Sequence, residues 1–134
     1  MSFNWCFIGC GKLAHTVARQ MKKHGGHKIV SCYTRNFESG RAFGEEFGAV
    51  AYDNANDAIL HEGVDAVYVV TPHNAHHRFT KTALLLGKPV LCEKAFTVTA
   101  EETEELIALA KEQNLYLAEA MWTWFSPAAN KVKG

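Results

Sequence analysis

The chain has 134 residues, a length that suits one domain, and 48% of them are hydrophobic while 21% are charged, an ordinary globular composition. Its 14 basic and 14 acidic residues give a formal net charge of zero, so no overall field favours nucleic acid or an anionic membrane. The sequence has neither an apolar run near the roughly 20 residues of a membrane span nor a signal-peptide pattern at residues 1–4, which predicts a cytoplasmic location.

Strand-like and helix-like patterns alternate along the chain. Apolar and β-branched runs predict strands over residues 3–8, 28–34, 49–52, 65–71, 88–93 and 115–119. Helices are predicted over residues 12–23, 39–47, 75–86 and 99–113, with a short helix that Asp53 caps and that ends near residue 61. This alternation predicts an α/β fold in three layers, a Rossmann-type doubly wound parallel sheet with strand order 3-2-1-4-5-6.

A glycine motif follows the first predicted strand and opens the first helix. It reads Gly9-x-Gly11-x-x-Ala14, a pattern typical of dinucleotide-binding βαβ units. Gly9 permits a tight turn, and Gly11 lets the backbone approach a pyrophosphate closely. Lys12 and Leu13 then stand where the free N–H groups of the helix start face the phosphates.

The end of the second predicted strand favours NADP over NAD as the cofactor. NAD sites usually place an acidic residue about 20 positions after the glycine loop to bind the ribose hydroxyls. Here the segment reads Thr34-Arg35-Asn36, and a hydroxyl beside a guanidinium suits a 2′-phosphate. The alternative is that Arg35 is a solvent-exposed residue of a turn.

Three histidines follow the fourth predicted strand, in the segment 71–77 that begins with Thr71 and Pro72. A metal site is conceivable, but no cysteine or carboxylate stands at matching spacing, and adjacent rings on a helix point in different directions. We therefore favour a loop that faces phosphate or nicotinamide, with His76 among its residues, and we expect no metal.

The ends of the last two strands carry further candidates. Glu93 and Lys94 are either a catalytic pair, with the lysine pKa lowered by burial, or a surface ion pair of little value. The segment 119–127 contains two tryptophans and a phenylalanine, and it forms core packing, a substrate-pocket wall or a surface that another domain covers.

The four cysteines are Cys6, Cys10, Cys32 and Cys92, and none belongs to a C-x-x-C pair. We expect buried free thiols rather than disulfides or metal ligands. Cys10 is the exception, because a thiol at a helix N-terminus can have a depressed pKa and react with oxidants.

In this order, the motifs resemble the N-terminal half of the Gfo/Idh/MocA enzymes, the glucose–fructose oxidoreductase and inositol dehydrogenase type. The resemblance is carried by G-x-G-x-x-A at 9–14, T-P-x-x-x-H at 71–76, C-E-K at 92–94 and E-A-M-W at 119–122. The stretches 71–96 and 119–123 are especially similar to the branch of dihydrodiol dehydrogenases and NADP-dependent xylose dehydrogenases.

The resemblance implies an oxidoreductase that moves hydride between NAD(P) and a sugar, polyol or dihydrodiol. Lys94 would be the catalytic residue that orients the substrate oxygen and supports proton transfer, while Glu93 and His76 would belong to the cofactor pocket, with Trp122 as a further cofactor contact. Ala95 stands in place of the proline of the family motif, and this departure gives Lys94 a less rigid placement.

Family members usually continue into a second α/β domain, which supplies the substrate pocket and a dimer surface. We therefore expect residues 1–120 to be the nucleotide-binding domain and residues 121–134 to begin the connection to a C-terminal substrate domain outside this chain. The small-molecule substrate would bind through that domain, and a homodimer is possible. The alternative function is a non-catalytic nucleotide-binding module for regulation or redox sensing.

Overall fold

Strands and helices alternate throughout the computed structural model of the chain, which describes residues 3–71, 73–93 and 100–120. The strands are β1 (Phe3–Ile8), β2 (His27–Tyr33), β3 (Val50–Tyr52), β4 (Ala66–Val69), β5 (Val90–Glu93) and β6 (Leu117–Ala120). The helices are α1 (Lys12–His24), α2 (Phe37–Phe47), α3 (Ala55–Ile59), α4 (His73–Leu85) and α5 (Ala100–Gln113).

All strand pairs in the sheet are parallel, and the order is β3-β2-β1-β4-β5-β6. The predicted fold class and strand order are thereby confirmed. β4 is buried over its whole length, as are the last four residues of β1, because helices cover both faces of the centre of the sheet. The carboxyl ends of β1, β2 and β4 meet at one edge, the position where such sheets bind ligands.

Two apolar clusters hold the three layers together. One cluster joins the face of the sheet that carries Ile8 to α3, α4 and α5, and Leu84 and Leu106 are fully buried within it. The other joins the opposite face, which carries Phe7, to α1 and α2, and includes Phe43. Burying an aliphatic or aromatic side chain of this size contributes about 1.5–3 kcal/mol, so alternate residues of each strand stabilise opposite layers.

The short helix α3 differs from the prediction at both ends. Asn54, not Asp53, caps it, since the Asn54 side chain accepts a hydrogen bond from the Asp57 backbone N–H at 3.2 Å. The backbone at Asn54 is extended, which is the geometry of an N-cap residue. The helix ends at Ile59, earlier than predicted. The predicted cap of α5, Thr99, lies outside the described residues.

The four cysteines are free and buried, as predicted. Burial raises the pKa of the Cys6 thiol to about 12. None of the helices in the described part of the chain is long and apolar enough to cross a membrane.

Candidate functional site

The glycine loop is built from two glycines with different roles. Gly9 has φ +105°, a conformation that side-chain-bearing residues rarely adopt, and a Cβ there would lie 2.8 Å from the Val70 carbonyl oxygen. Its N–H donates to the Tyr33 carbonyl oxygen at 2.7 Å. At Gly11, by contrast, a Cβ would meet no atom within 4 Å. Gly9 therefore lets the loop between β1 and α1 pack closely against the ends of β2 and β4. Gly11, in contrast, leaves open space beside this loop.

The start of α1 borders that open space. Gly11 is the N-cap residue of α1, no side chain caps the helix start, and its first turn contains no acidic residue. Lys12 is the first helical residue. Uncapped N–H groups together with the helix dipole favour an anion at this position.

A cleft of about 920 Å³ opens at the carboxyl ends of β1, β2 and β4. Its lining comprises Gly9, Cys10, Gly11, Lys12, Leu13, Ala14, Tyr33, Thr34, Arg35, Val70, Thr71, Ala75, Arg78 and Phe79. Seven residues predicted to bind cofactor lie together in this lining: Gly9, Gly11, Lys12, Leu13, Thr34, Arg35 and Thr71.

The charged side chains of the cleft are all basic. Lys12, Arg35 and Arg78 line it, and its described lining contains no aspartate or glutamate. Thr34 and Arg35 stand directly after β2, where NAD sites usually carry a carboxylate. The arrangement can hold a polyanion, and no described residue of the lining carries a charge that would repel a 2′-phosphate.

Arg78 and Phe79 are lining residues that the sequence analysis did not identify. They follow Ala75 by three and four positions in α4, and such residues share one face of a helix. This spacing was visible in the sequence, but it became informative only once the position of α4 over the cleft was known.

His76 and Thr71 interact beside the cleft. The His76 side chain is 1% exposed, and its Nε2 forms a hydrogen bond with the Thr71 carbonyl oxygen. His76 does not belong to the described lining, so a direct contact with a cofactor stays a prediction. The Thr71 hydroxyl is buried without a hydrogen-bond partner among the described residues.

Two other predicted cofactor contacts have structural partners. The Asn36 side chain accepts a hydrogen bond from the Ser39 backbone N–H at 3.2 Å and caps α2. The Tyr68 hydroxyl donates to a carboxylate oxygen of Glu93. Burial and this hydrogen bond raise the pKa of Tyr68, so the hydroxyl stays protonated and fixes the carboxylate at the end of β5. Neither Asn36 nor Glu93 belongs to the described lining of the cleft, and the sequence analysis did not identify Tyr68.

Three predicted site residues lie outside the described residues: Pro72, Lys94 and Trp122. The same holds for Ala95 and for residues 121–127 of the aromatic segment. Their roles stay predictions.

Cys10 lines the cleft but lacks the environment of a reactive thiol. It is 4% exposed, and its Sγ lies 3.8 Å from the Tyr33 carbonyl oxygen. A hydrogen bond with Cys32 and burial raise the Cys10 pKa. The predicted depression of this pKa is therefore wrong, because the thiol is turned towards the sheet rather than towards the helix N-terminus and solvent.

In the histidine segment, His77 contacts two carboxylates of α5. The His77 Nε2 lies 2.6 Å from the Glu105 carboxylate, and its Nδ1 lies 4.0 Å from that of Glu102. Within residues 3–71, 73–93 and 100–120, no group of three or more histidine, cysteine or acidic side chains is arranged to hold a metal ion.

Comparisons with known proteins agree with this geometry. Residues 3–121 match the Gfo/Idh/MocA family model, described as an oxidoreductase family with an NAD-binding Rossmann fold. A D-xylose 1-dehydrogenase (NADP(+)) from Hypocrea jecorina is 45% identical over 87 residues, which are 65% of this chain and 22% of that protein. A trans-1,2-dihydrobenzene-1,2-diol dehydrogenase from Mus musculus is 29% identical over 136 aligned positions, covering 99% of this chain and 41% of that protein.

Solved structures show the same fold. The 3-ketoreductase KijD10 from Actinomadura kijaniata, crystallised with NADP and TDP-benzene, is 27% identical with a TM-score of 0.87, over 98% of this chain and 41% of that chain. UDP-N-acetylglucosamine 3-dehydrogenase from Acidithiobacillus ferrooxidans is 26% identical with a TM-score of 0.84, over 99% of this chain and 43% of that chain.

This chain thus spans less than half the length of these relatives. The family match extends over nearly the whole chain, from β1 through β6, and includes the glycine loop and the cleft beside it. The chain belongs to the Gfo/Idh/MocA oxidoreductase family and comprises its NAD-binding Rossmann fold.

Proposed function

We propose that this chain binds NADP in preference to NAD and is the nucleotide-binding part of a dehydrogenase. The observation that carries the proposal is the cleft, in which the open glycine loop and three basic side chains meet without an acidic residue in the described lining. The cofactor would supply the hydride chemistry. The chain itself would bind the phosphates at the start of α1 and the adenosine end beside β2.

The preference for NADP rests on the residues after β2. The Arg35 guanidinium can hold a 2′-phosphate bidentately, and Thr34 can donate a hydrogen bond without introducing a negative charge. The curated relatives support this assignment, because the protein from Hypocrea jecorina carries NADP(+) in its name.

A calorimetric titration of the 134-residue chain with NADPH and with NADH tests the proposal. We expect tighter binding of NADPH, and we expect Arg35→Ala to weaken NADPH binding by about tenfold or more while leaving NADH binding nearly unchanged, since a charge-assisted pair to phosphate contributes about 1.5–3 kcal/mol. Lys23→Ala is the matched control, because Lys23 is an exposed cation in the last turn of α1, away from the cleft. Equal affinities of wild type and Arg35→Ala for NADPH would refute the role of Arg35.

The reaction is proposed from the family and its relatives. The substrate would be a sugar, polyol or dihydrodiol, and Lys94 would orient its oxygen and support proton transfer. Substitution of Lys94 by alanine in a complete protein should abolish most turnover and largely preserve cofactor affinity, whereas a non-catalytic nucleotide sensor would have no turnover to lose.

The domain arrangement belongs to the same proposal. Residues 1–120 would form the nucleotide domain, and residues 121–134 would lead to a substrate domain, through which a homodimer could form. The family match over residues 3–121 supports the first range, and the mouse relative, of which the chain covers 41%, has further sequence outside the aligned part. A cytoplasmic location is also proposed, and four cysteines without a disulfide among them fit a reducing compartment.

A further inference from the structure

The first half of α4 contributes a wall of the cleft that extends beyond the T-P-x-x-x-H motif to Arg78 and Phe79. Ala75, Arg78 and Phe79 line the cleft together with Thr34 and Arg35. β1 lies between β2 and β4 in the sheet. The residues after β2 and those of α4 therefore border the cleft from two sides of the β1 loop.

The Arg78 side chain is held in this wall by an aromatic ring. Its guanidinium carbon lies over the Phe79 ring, 4.5 Å from the centroid. Phe79 is only 7% exposed, and its ring centroid lies 5.8 Å from that of Tyr33, which also lines the cleft. A cation–π contact with a fixed ring restricts the guanidinium to the surface of the cleft.

The charge of Arg78 has no carboxylate partner in the part of the chain that the structure describes. By contrast, Lys81, three residues further along α4, lies 2.8 Å from Glu105, and Arg19 lies 3.1 Å from Glu46. The donors of Arg78, and the side of its guanidinium away from Phe79, are consequently available to a ligand in the cleft.

We infer that Arg78 stacks on the adenine base of the bound cofactor, with Phe79 supporting the guanidinium from behind. This inference rests on the proposed function. In a dinucleotide site the pyrophosphate lies at the glycine loop and the adenosine end extends towards β2. A guanidinium is planar, delocalised and weakly hydrated, and it stacks on aromatic faces as an ammonium does not.

Arg78 and Arg35 then have separable roles. Arg35 contacts a group that only NADP carries, so it determines the preference between the two dinucleotides. Arg78 contacts the adenine, which NADP and NAD share, so it raises the affinity for both by the same factor.

The test is calorimetry of the 134-residue chain with NADPH, NADH and 2′,5′-ADP, using wild type, Arg78→Ala, Arg78→Lys and the control Lys23→Ala. We expect Arg78→Ala to weaken binding of all three ligands by a common factor of about 5, in keeping with a partly exposed cation–π contact. Arg78→Lys should recover less than half of that loss in free energy, because it keeps the charge but not the plane. Lys23→Ala should bind as wild type does.

Three results would overturn the inference. In the first, wild type and Arg78→Ala bind all three ligands with the same affinity. Arg78 then has no role in cofactor binding, while the proposed function stands. If Arg78→Ala weakens only NADPH and 2′,5′-ADP, and Arg78→Lys restores them, the residue contacts the 2′-phosphate and not the base. Absence of binding by wild type would refute the proposed function itself, and with it this inference.

Discussion

At the scale of single residues, the two glycines of the loop separate a structural requirement from a functional one. Gly9 combines a positive φ with a backbone carbonyl 2.8 Å from where its Cβ would be, whereas the space around Gly11 is empty. The motif contains the same residue type at both positions, but only Gly9 is demanded by the fold of the chain itself. The empty space at Gly11 is the space that the pyrophosphate of the proposed cofactor would occupy.

We predict that Gly9→Ala and Gly11→Ala have opposite signatures. Gly9→Ala should lower the free energy of unfolding by at least about 2 kcal/mol, because it adds positive-φ strain to a backbone clash. Gly11→Ala should cost less than about 1 kcal/mol of stability, yet weaken NADPH binding by at least about tenfold, because its methyl group occupies the open space. Urea denaturation and calorimetry measure the two quantities. A Gly11→Ala protein that binds NADPH as wild type does would show that the pyrophosphate lies elsewhere.

At the scale of elements, ion pairs link helices that neighbour each other on the same face of the sheet. Glu105 of α5 lies 2.8 Å from the Lys81 Nζ and 2.6 Å from the His77 Nε2 of α4. On the other face, the Glu46 carboxylate of α2 lies 3.1 Å from the Arg19 guanidinium of α1. Such exposed pairs contribute little to stability. The packing of these helices on the sheet therefore rests mainly on the two apolar clusters.

The contact between α4 and α5 should give a small pH-dependent stability. Hydrogen bonds from Lys81 and His77 lower the pKa of Glu105, so the contribution of its carboxylate is present above the ordinary glutamate pKa and is lost as the pH falls through the lowered value. We expect Glu105→Gln to reduce the melting temperature slightly at pH 7, and the difference from wild type to disappear once the pH is below the lowered pKa of Glu105. Glu102 also faces His77 at 4.0 Å and is unchanged in this variant.

The control for this prediction is Glu104→Gln, an exposed residue of the same helix. It removes the same charge without removing the pairing with α4. If thermal melts of the two variants show the same dependence on pH, the contact between Glu105 and α4 has no stabilising effect. High salt should also reduce the effect of Glu105→Gln, because exposed charges are screened.

At the scale of the whole molecule, the packing of the sheet between two helical layers governs thiol chemistry. Cys6, Cys32 and Cys92 are fully buried, and Cys10 is nearly so although it belongs to the glycine loop that lines the cleft. We expect no thiol to react rapidly with Ellman's reagent in the native chain at neutral pH, and all four to react in denaturant. One rapidly reacting thiol that is lost in Cys10→Ser would contradict the burial of the Cys10 side chain.

The sequence alone was enough to predict the fold class and the strand order, which the structure confirms, and to predict a site at the glycine loop, where the structure has a cleft. These predictions rest on local signals, namely apolar runs, helical periodicity and the glycines between β1 and α1. Such signals involve residues close together in the sequence and do not depend on tertiary contacts. Both predicted ends of β1 agree with the structure, and those of α1 agree within one residue.

Only the tertiary structure decided which side chains share the cleft and what surrounds each one. Arg78 lines the same cleft as Thr34 and Arg35 because the sheet order places β1 between β2 and β4. The Cys10 pKa rises rather than falls because β2 brings Cys32 against it, and the Glu93 carboxylate is fixed by Tyr68 of the neighbouring strand. Each of these partners is more than 20 residues distant in the chain, and no pattern confined to one segment carries information about such a contact.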